Sequence, residues 1–446
     1  MAALSARVGS HSAMSRARQV FASAERRIEL QDQLQLRTAA DVARTLGEMK
    51  GALMKIGQMV SYLDQGLPEP LRLALSQLQA NAPPMSAELA AGVIIEELGG
   101  PPEELFERWD PHPIASASIG QVHRAITRDG RAVAVKVQYP GVADAVRADL
   151  GNADLLFSAL GLAFPGLDPA PIGAELRIRI GEELDYVNEA ANQQLFARYY
   201  AGHPFIHVPA VLSELSTARV LTTELVTGAT FSEVRGWSQA ERDLIGETLF
   251  RFVFGSLYRL QAFNGDPHPG NYLFAPGGRV TFLDFGLVRR FEPAEVATFA
   301  RMVTEMVINQ DPDAFRVAVE DAGLLARDAP VSTEQVQDYF SHFYTFVSRQ
   351  GRFAWNTDYA DATVRRTFDA SSPVTRHTTV PASFVLIQRI NLGLYALLGQ
   401  LGATADWRRI ADDVWPWVGA EPVTDLGRLE AAWRSDRAAS YPEHGI

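Results

Sequence analysis

The stretch Asn264–Gly286, NGDPHPGNYLFAPGGRVTFLDFG, constrains this chain more than any other. Asp266 stands five residues before Asn271, and Asp284 stands thirteen after it, closing an apolar run through Val280, Phe282 and Leu283. Pro276, Gly277 and Gly278 mark a hairpin. That hairpin, with a turn on each side, brings the three side chains together. One carboxylate can take a proton from a nucleophile; an amide oxygen and a second carboxylate can hold magnesium. This is the division of labour in phosphoryl transfer, where D-x-x-x-x-N precedes D-F-G. Taken singly, either motif is a turn held by Asx hydrogen bonds; in this order, flanked by strand-like sequence, the pair favours the chemistry.

A chain of 446 residues, 47% of them hydrophobic, is long enough for two or three lobes around a sizeable core. Its net charge of −12 excludes a general nucleic-acid binder, which needs basic stripes. It has no cysteine, and so no disulfide, thiolate zinc site or cysteine nucleophile. Only three lysines, Lys50, Lys55 and Lys136, stand among the arginines. Lysine is not replaceable where a compact ammonium must reach a phosphate or a buried carboxylate, so two of these lysines gain weight from the motifs they fall in, chance retention being the alternative. No apolar run reaches the roughly 18–20 residues of a membrane helix. The run Phe384–Leu401 is interrupted by Gln388, Arg389 and Asn391, and Leu155–Leu167 is short and contains Pro165. Residues 1–24 carry three arginines and no acid; a flexible tail over 1–30 is expected rather than a transit peptide.

From Asp41 to Leu63 the apolar residues Val42, Leu46, Met49, Leu53, Ile56, Val60 and Leu63 recur in steps of four and three, predicting an amphipathic helix. Lys55 and Gln58 share a side of it, which a solvated edge would equally explain. Prolines punctuate further short helices to about Trp109, and Pro111 and Pro113 close the region. Ile114 to Thr127 reads as strand, small-residue turn, strand. The turn Ala115, Ser116, Ala117, Ser118, Ile119, Gly120 stands where kinase folds place a glycine-rich phosphate loop. Its methyl groups crowd that approach, so a nucleotide there takes another geometry; a plain hairpin is the alternative. In the strand Ala132 to Gln138, Val133, Val135 and Val137 face one way and Lys136 the other among alanines. Burying that lysine needs a partner, and V-A-V-K is the nucleotide-lysine pattern; an edge-strand lysine is the alternative. The helix expected over Ala174–Tyr199 supplies Glu183, Asp185 and Glu189. Glu189 is placed to pair with Lys136 and Glu183 with another cation, unless this is a solvated acidic face. Two strands are expected from Val208 to Val226, ending near Glu224 at a hinge, where Glu224 is counted with the nucleotide-binding residues. Ser238 and Glu241 predict a capping box for a helix over Gln239–Phe263. After Gly286 only a short stretch precedes a helix from about Pro293. No long activation segment and no A-P-E follow, which disfavours a peptide substrate.

Together these residues resemble the UbiB, or aarF-domain, family of atypical kinases over most of residues 45–290. Lys55-Ile-Gly-Gln58 matches K-x-G-Q, and Ala115 to His123 matches the alanine-rich loop. Val135-Lys136 matches the nucleotide lysine, Glu183-Leu-Asp185 the E-x-D motif, and Glu189 the lysine-pairing glutamate. Asp266 to Asn271 and Asp284-Phe-Gly286 match the catalytic and metal loops. The resemblance implies an α+β, bilobal protein-kinase-like fold. An N-terminal helical extension (31–110) would carry K-x-G-Q, followed by an N-lobe (111–227), a helical C-lobe (228–437) and a tail (438–446). It implies that Lys55 pairs with Glu183, that ATP and Mg2+ bind, and that ATP is hydrolysed, with a link to quinone or isoprenoid-lipid metabolism. Many members carry C-terminal membrane helices; for this chain a cytoplasmic protein with peripheral membrane contact is expected. The acceptor expected is water or a small-molecule or lipid-like hydroxyl. Asp266 takes the base position, so His268 is read as structural. A small-molecule phosphotransferase shares the acidic loop but not K-x-G-Q or the alanine-rich turn; a true protein kinase and a nucleotide-gated scaffold are the other rivals.

Overall fold

The computed structural model describes residues 86–440 apart from 118, 144–180, 182–183, 368, 370–371 and 380. The helix expected over 41–63 with Lys55 and Gln58, together with Ser118 and Glu183, therefore lies outside the described residues. The chain divides into two compact units, the first ending at Ala190 but including Val211–Leu225, the second taking Ala191–Ala210 and Val226 onward.

In the first unit α1 (Ala87–Leu98) and the short α2 (Pro102–Leu105) lead into β1 (Phe106–Ser116), β2 (Gly120–Thr127) and β3 (Ala132–Gln138). Along the chain α3 (Tyr186–Tyr199) begins in the first unit and ends in the second, β4 (Ile206–His207) belongs to the second, and β5 (Val220–Glu224) to the first. β1, β2, β3 and β5 form an antiparallel sheet in that order. The period of two expected in β3 is observed: Val133, Val135 and Val137 are fully buried, whereas Ala132 is exposed. They pack with Ala90, Val93 and Ile94 of α1, each buried valine or isoleucine side chain contributing about 1.5–3 kcal/mol. Ser86 caps α1 by accepting the Leu89 N–H, and Gly99, at φ 79°, ends it.

Two sequence expectations shift here. β1 starts at Phe106, in a stretch expected to stay helical to Trp109. α2 stops because Phe106 is extended and buried, paired with Thr127. Pro111 and Pro113 then make this edge strand irregular, with register breaks on both sides of Pro113. Of the two strands expected over Val208–Val226, only Val220–Glu224 forms; Val211 makes a single bridge to Thr223. The Ser216 hydroxyl bonds the Leu212 carbonyl (2.8 Å) and the Thr222 hydroxyl the Leu215 carbonyl (2.6 Å), so side chains take up backbone groups a second strand would need.

The second unit is built around α4 (Gln239–Gly255), buried throughout from Ile245 to its end. After it come β6 (Ala262–Asn264), β7 (Tyr272–Ala275), β8 (Arg279–Phe282), β9 (Val288–Arg290) and α5 (Pro293–Val303). Shorter helices precede α6 (Ala382–Leu401), α7 (Trp407–Val414) and α8 (Asp425–Ser440). α4 runs through a wide turn at Ser256–Leu260 and stops where Gln261 takes a left-handed φ of 55°. Phe263, expected at the helix end, instead lies in β6, paired with β9. Ser238 caps α4 through the Glu241 N–H. The Glu241 carboxylate does not close a capping box; it accepts the Gly277 N–H (2.8 Å) of the β7–β8 hairpin. No helix among the described residues is long and apolar enough to cross a membrane.

A buried charge cluster ties α4, α7 and α8 together. Arg251, fully buried, meets Glu247 (2.8 Å), Asp413 (2.7 Å) and Glu430 (2.7 Å), and Arg434 adds a second cation to Asp413 (3.4 Å). Burial alone would raise the Glu430 pKa. The His203 contact and the charges of Arg251 and Arg434 outweigh it and hold Glu430 at about 2.

Candidate functional site

Lys136 sits on β3 opposite Val122 and Leu221, and Glu189 lies in the first turn of α3. The lysine Nζ reaches both glutamate oxygens, at 2.7 and 2.9 Å, with the Tyr186 ring centroid 4.9 Å away. Only 18% of the lysine side chain and 3% of the glutamate side chain is exposed, so each charge depends on the other. Asp185 caps α3, its carboxylate accepting the Asn188 N–H (3.0 Å). One acid of E-x-D thus organises the helix that presents Glu189.

The small-residue turn is pinned from beneath. Ala117 donates to the Gly120 carbonyl and Tyr139 to the Ile119 carbonyl, both at 2.9 Å. A Cβ on Gly120 would stand 2.1 Å from the Val137 carbonyl oxygen, so close approach, not an unusual φ, requires glycine there. Ala115 and Ser116 are exposed, while Ile119 is buried and supports the turn. Glu224 closes β5 across from Val133, one residue before the first unit ends at Leu225.

Below the turn His123 is fully buried, stacked on Trp109 at 4.6 Å. Its Nδ1 is 2.9 Å from the Asp110 carbonyl, which can only accept, so its Nε2 accepts from the Gln121 amide (2.8 Å). The imidazole is neutral, and burial keeps it so by lowering its pKa against a smaller opposing effect of Asp110. The unfolded chain therefore takes this proton first. Stability is full above about pH 6.5 and falls as pH drops below it. Thermal melts at pH 7.5 and 5.5 should show a loss that is smaller in His123→Phe. It is reduced rather than abolished, because the buried His203 ring and the half-buried His342 are also held down.

The second unit carries the acidic loop between β6 and β7. Asp266 N–H donates to Asn264 Oδ1 (3.2 Å), and His268 N–H to the Asp266 carbonyl (2.8 Å). The Asn271 amide Nδ2 donates to the Asp266 carboxylate (2.9 Å) and carbonyl (3.2 Å). The β7–β8 hairpin, turning at Gly277 and Gly278 (φ 79° and 73°), returns the chain so that Leu283 N–H meets the Asn271 carbonyl (2.9 Å). Asp284 comes at once after it, its carbonyl held by Asn264 (2.7 Å) and its carboxylate by the Gly286 N–H (3.0 Å). The three residues singled out in the sequence thus share one hydrogen-bonded turn. His268 Nδ1 accepts the Gly270 N–H (3.1 Å), which shapes the loop. The other Asp266 oxygen, Oδ1, is buried without a hydrogen-bond partner among the described residues.

Because the Asn271 amide nitrogen serves Asp266, the oxygen remains as its ligand atom. With Asp284 this offers the hard oxygen donors that magnesium takes when phosphates complete its shell. Among the described residues no group of three or more His, Asp or Glu forms a cage made by protein alone.

Three supporting residues escaped the sequence reading. Asn192 donates to the Phe285 carbonyl (3.2 Å), and Phe196 packs on the fully buried Phe285 ring at 4.9 Å. They come three and seven residues after Glu189 along α3, a spacing that marks one helix face. Gly393 of α6 faces Pro267: a Cβ there would stand 2.2 Å from the proline ring. Glycine inside a long helix, at a cost of about 1 kcal/mol, was the available signal.

The ABC1 atypical kinase-like domain matches residues 77–318. The mitochondrial atypical kinase COQ8B of Rattus norvegicus is 38% identical over 256 residues, 57% of this chain and 48% of that one. An uncharacterized chloroplastic aarF domain-containing protein kinase of Arabidopsis thaliana is 31% identical over 423 residues, 94% of this chain and 60% of that one. The chain thus spans about half the length of the curated relatives it matches. Among solved structures, the complex of Rv3197 with erythromycin from Mycobacterium tuberculosis aligns with a TM-score of 0.63 at 32% identity, covering 88% of this chain and 99% of that one.

Proposed function

Because the chain belongs to the ABC1 atypical kinase-like family, we propose that it is an ATP- and magnesium-dependent enzyme moving the terminal phosphoryl group to water or to a small hydroxylated, lipid-like acceptor. The observation that carries this is the desolvated Lys136–Glu189 pair, an ammonium fixed on a strand by a helix glutamate. Glu189 orients Lys136 toward phosphate oxygens. Asn271 and Asp284 would hold the metal, and Asp266 Oδ1, which has no hydrogen-bond partner among the described residues, would orient the nucleophile and take its proton. Magnesium bound with ATP supplies charge neutralisation on the phosphates. Catalysis by these residues is mainly positioning and electrostatics.

The choice of acceptor rests on the shortness of the chain between Asp284-Phe-Gly286 and the next helix. Only β9 separates this turn from α5, too little chain to seat a peptide. A small-molecule phosphotransferase is the second reading, favoured by the erythromycin named with the Mycobacterium tuberculosis neighbour. We place the activity in quinone or isoprenoid-lipid metabolism, peripheral to a membrane.

Binding of a fluorescent ATP analogue with magnesium tests the pair. Lys136→Ala should weaken affinity by about 10–100-fold, the loss of charge-assisted hydrogen bonds. It should also destabilise, because the buried Glu189 carboxylate loses the ammonium that offsets its charge. The double variant Lys136→Met/Glu189→Leu should recover stability without affinity. Unchanged affinity in folded Lys136→Ala would overturn the assignment.

A further inference from the structure

Away from the acidic loop, the helices of the second unit line a half-open cavity of ≈ 160 Å³. Phe254, Phe299, Phe346 and Tyr395 form most of its walls, and α6 contributes two amides, Gln388 and Asn391. The Asn391 Oδ1 is buried and has no hydrogen-bond partner among the described residues. An amide oxygen stranded in apolar surroundings is costly unless a donor meets it. The volume is close to that of a cavity, about 150 Å³, known to admit benzene. Aromatic walls favour a flat ring, packed edge to face or offset.

We infer that this cavity is a binding site for a small one- or two-ring aromatic molecule carrying a single hydrogen-bond donor, which Asn391 accepts. The site is independent of nucleotide chemistry: none of its lining residues belongs to the acidic loop or to the Lys136–Glu189 pair. The chemistry required is apolar area on both faces and one N–H or O–H at the edge. A macrolide is far too large for this volume.

Calorimetry on the full chain with indole and with indene, its counterpart without the N–H, tests the inference. Indole should bind with a dissociation constant of about 0.1–1 mM, the range for so few heavy atoms. Indene should bind about three- to tenfold more weakly, for want of the donor. In Asn391→Leu, indole should fall to the level of indene, while indene is unchanged or tighter. Leu392→Trp, which fills the space, should abolish both. Should that variant fail to fold, the indole–indene comparison on the unmodified chain still decides. Equal affinities for the two ligands there, or no saturable binding of either, would overturn the site.

Discussion

Asp266→Asn should leave the chain folded and lower ATP turnover by about 10²–10⁴-fold, the usual contribution of a positioned base. Asparagine has the same shape and keeps an oxygen for the Asn271 amide, whose bond to Asp266 is 2.9 Å. It then presents N–H where Oδ1 stood buried and unpartnered. A group that donates there cannot take a proton. Because the substitution also removes a negative charge with one oxygen buried, the melting temperature should hold or rise, as when a functional strain is relieved. Nucleotide affinity should stay within about twofold, since in the proposed mechanism Asp266 acts on the nucleophile rather than on the nucleotide. Parallel measurements of turnover, nucleotide binding and melting check all three. A variant that turns over ATP at the parent rate would remove Asp266 from the base position.

Arg251→Met should destabilise the second unit by about 3–5 kcal/mol, the cost of stripping one partner from a buried ion pair. Glu247, Asp413 and Glu430 would lose the guanidinium between them, with only Arg434 remaining near two of them. For a unit of this size the melting temperature falls by roughly 10 °C. The pH response carries a second sign. Glu430 is held at about 2, below its unfolded value, so its contribution is full above about pH 4.5 and is lost as pH falls toward 2. The acid sensitivity of the parent in that window should therefore flatten in Arg251→Met. Equal melting temperatures for parent and variant at pH 7 would show that the cluster adds nothing to stability.

The parts of this molecule that were legible in its sequence are those set by local chemistry. The alternation Val133, Val135, Val137 declared a strand with one buried face. It left Lys136 on the other face needing a partner, and Glu189 meets it. The double glycine at 277 and 278 declared the hairpin that returns Asp284 to Asn271. Where longer-range contacts decide, local pattern misleads. Phe106 leaves its helix because β2 offers it a strand partner, and α4 stops at Gln261 because β9 captures Phe263. Glu241 prefers a hairpin amide to its own cap. Asn192, Phe196 and Gly393 carry no motif; their meaning appears only once Phe285 and Pro267 are folded against them.

Phosphate release from ATP by the purified full chain is the most direct measurement of the central claim. It would be run with magnesium and with a chelator, with and without phenolic quinone precursors and anionic liposomes, beside Asp284→Asn. The account predicts release that requires magnesium, increases with phenol or lipid, and vanishes in Asp284→Asn. Nucleotide binding with no release under any of these conditions would contradict it, leaving a nucleotide-gated scaffold in place of an enzyme.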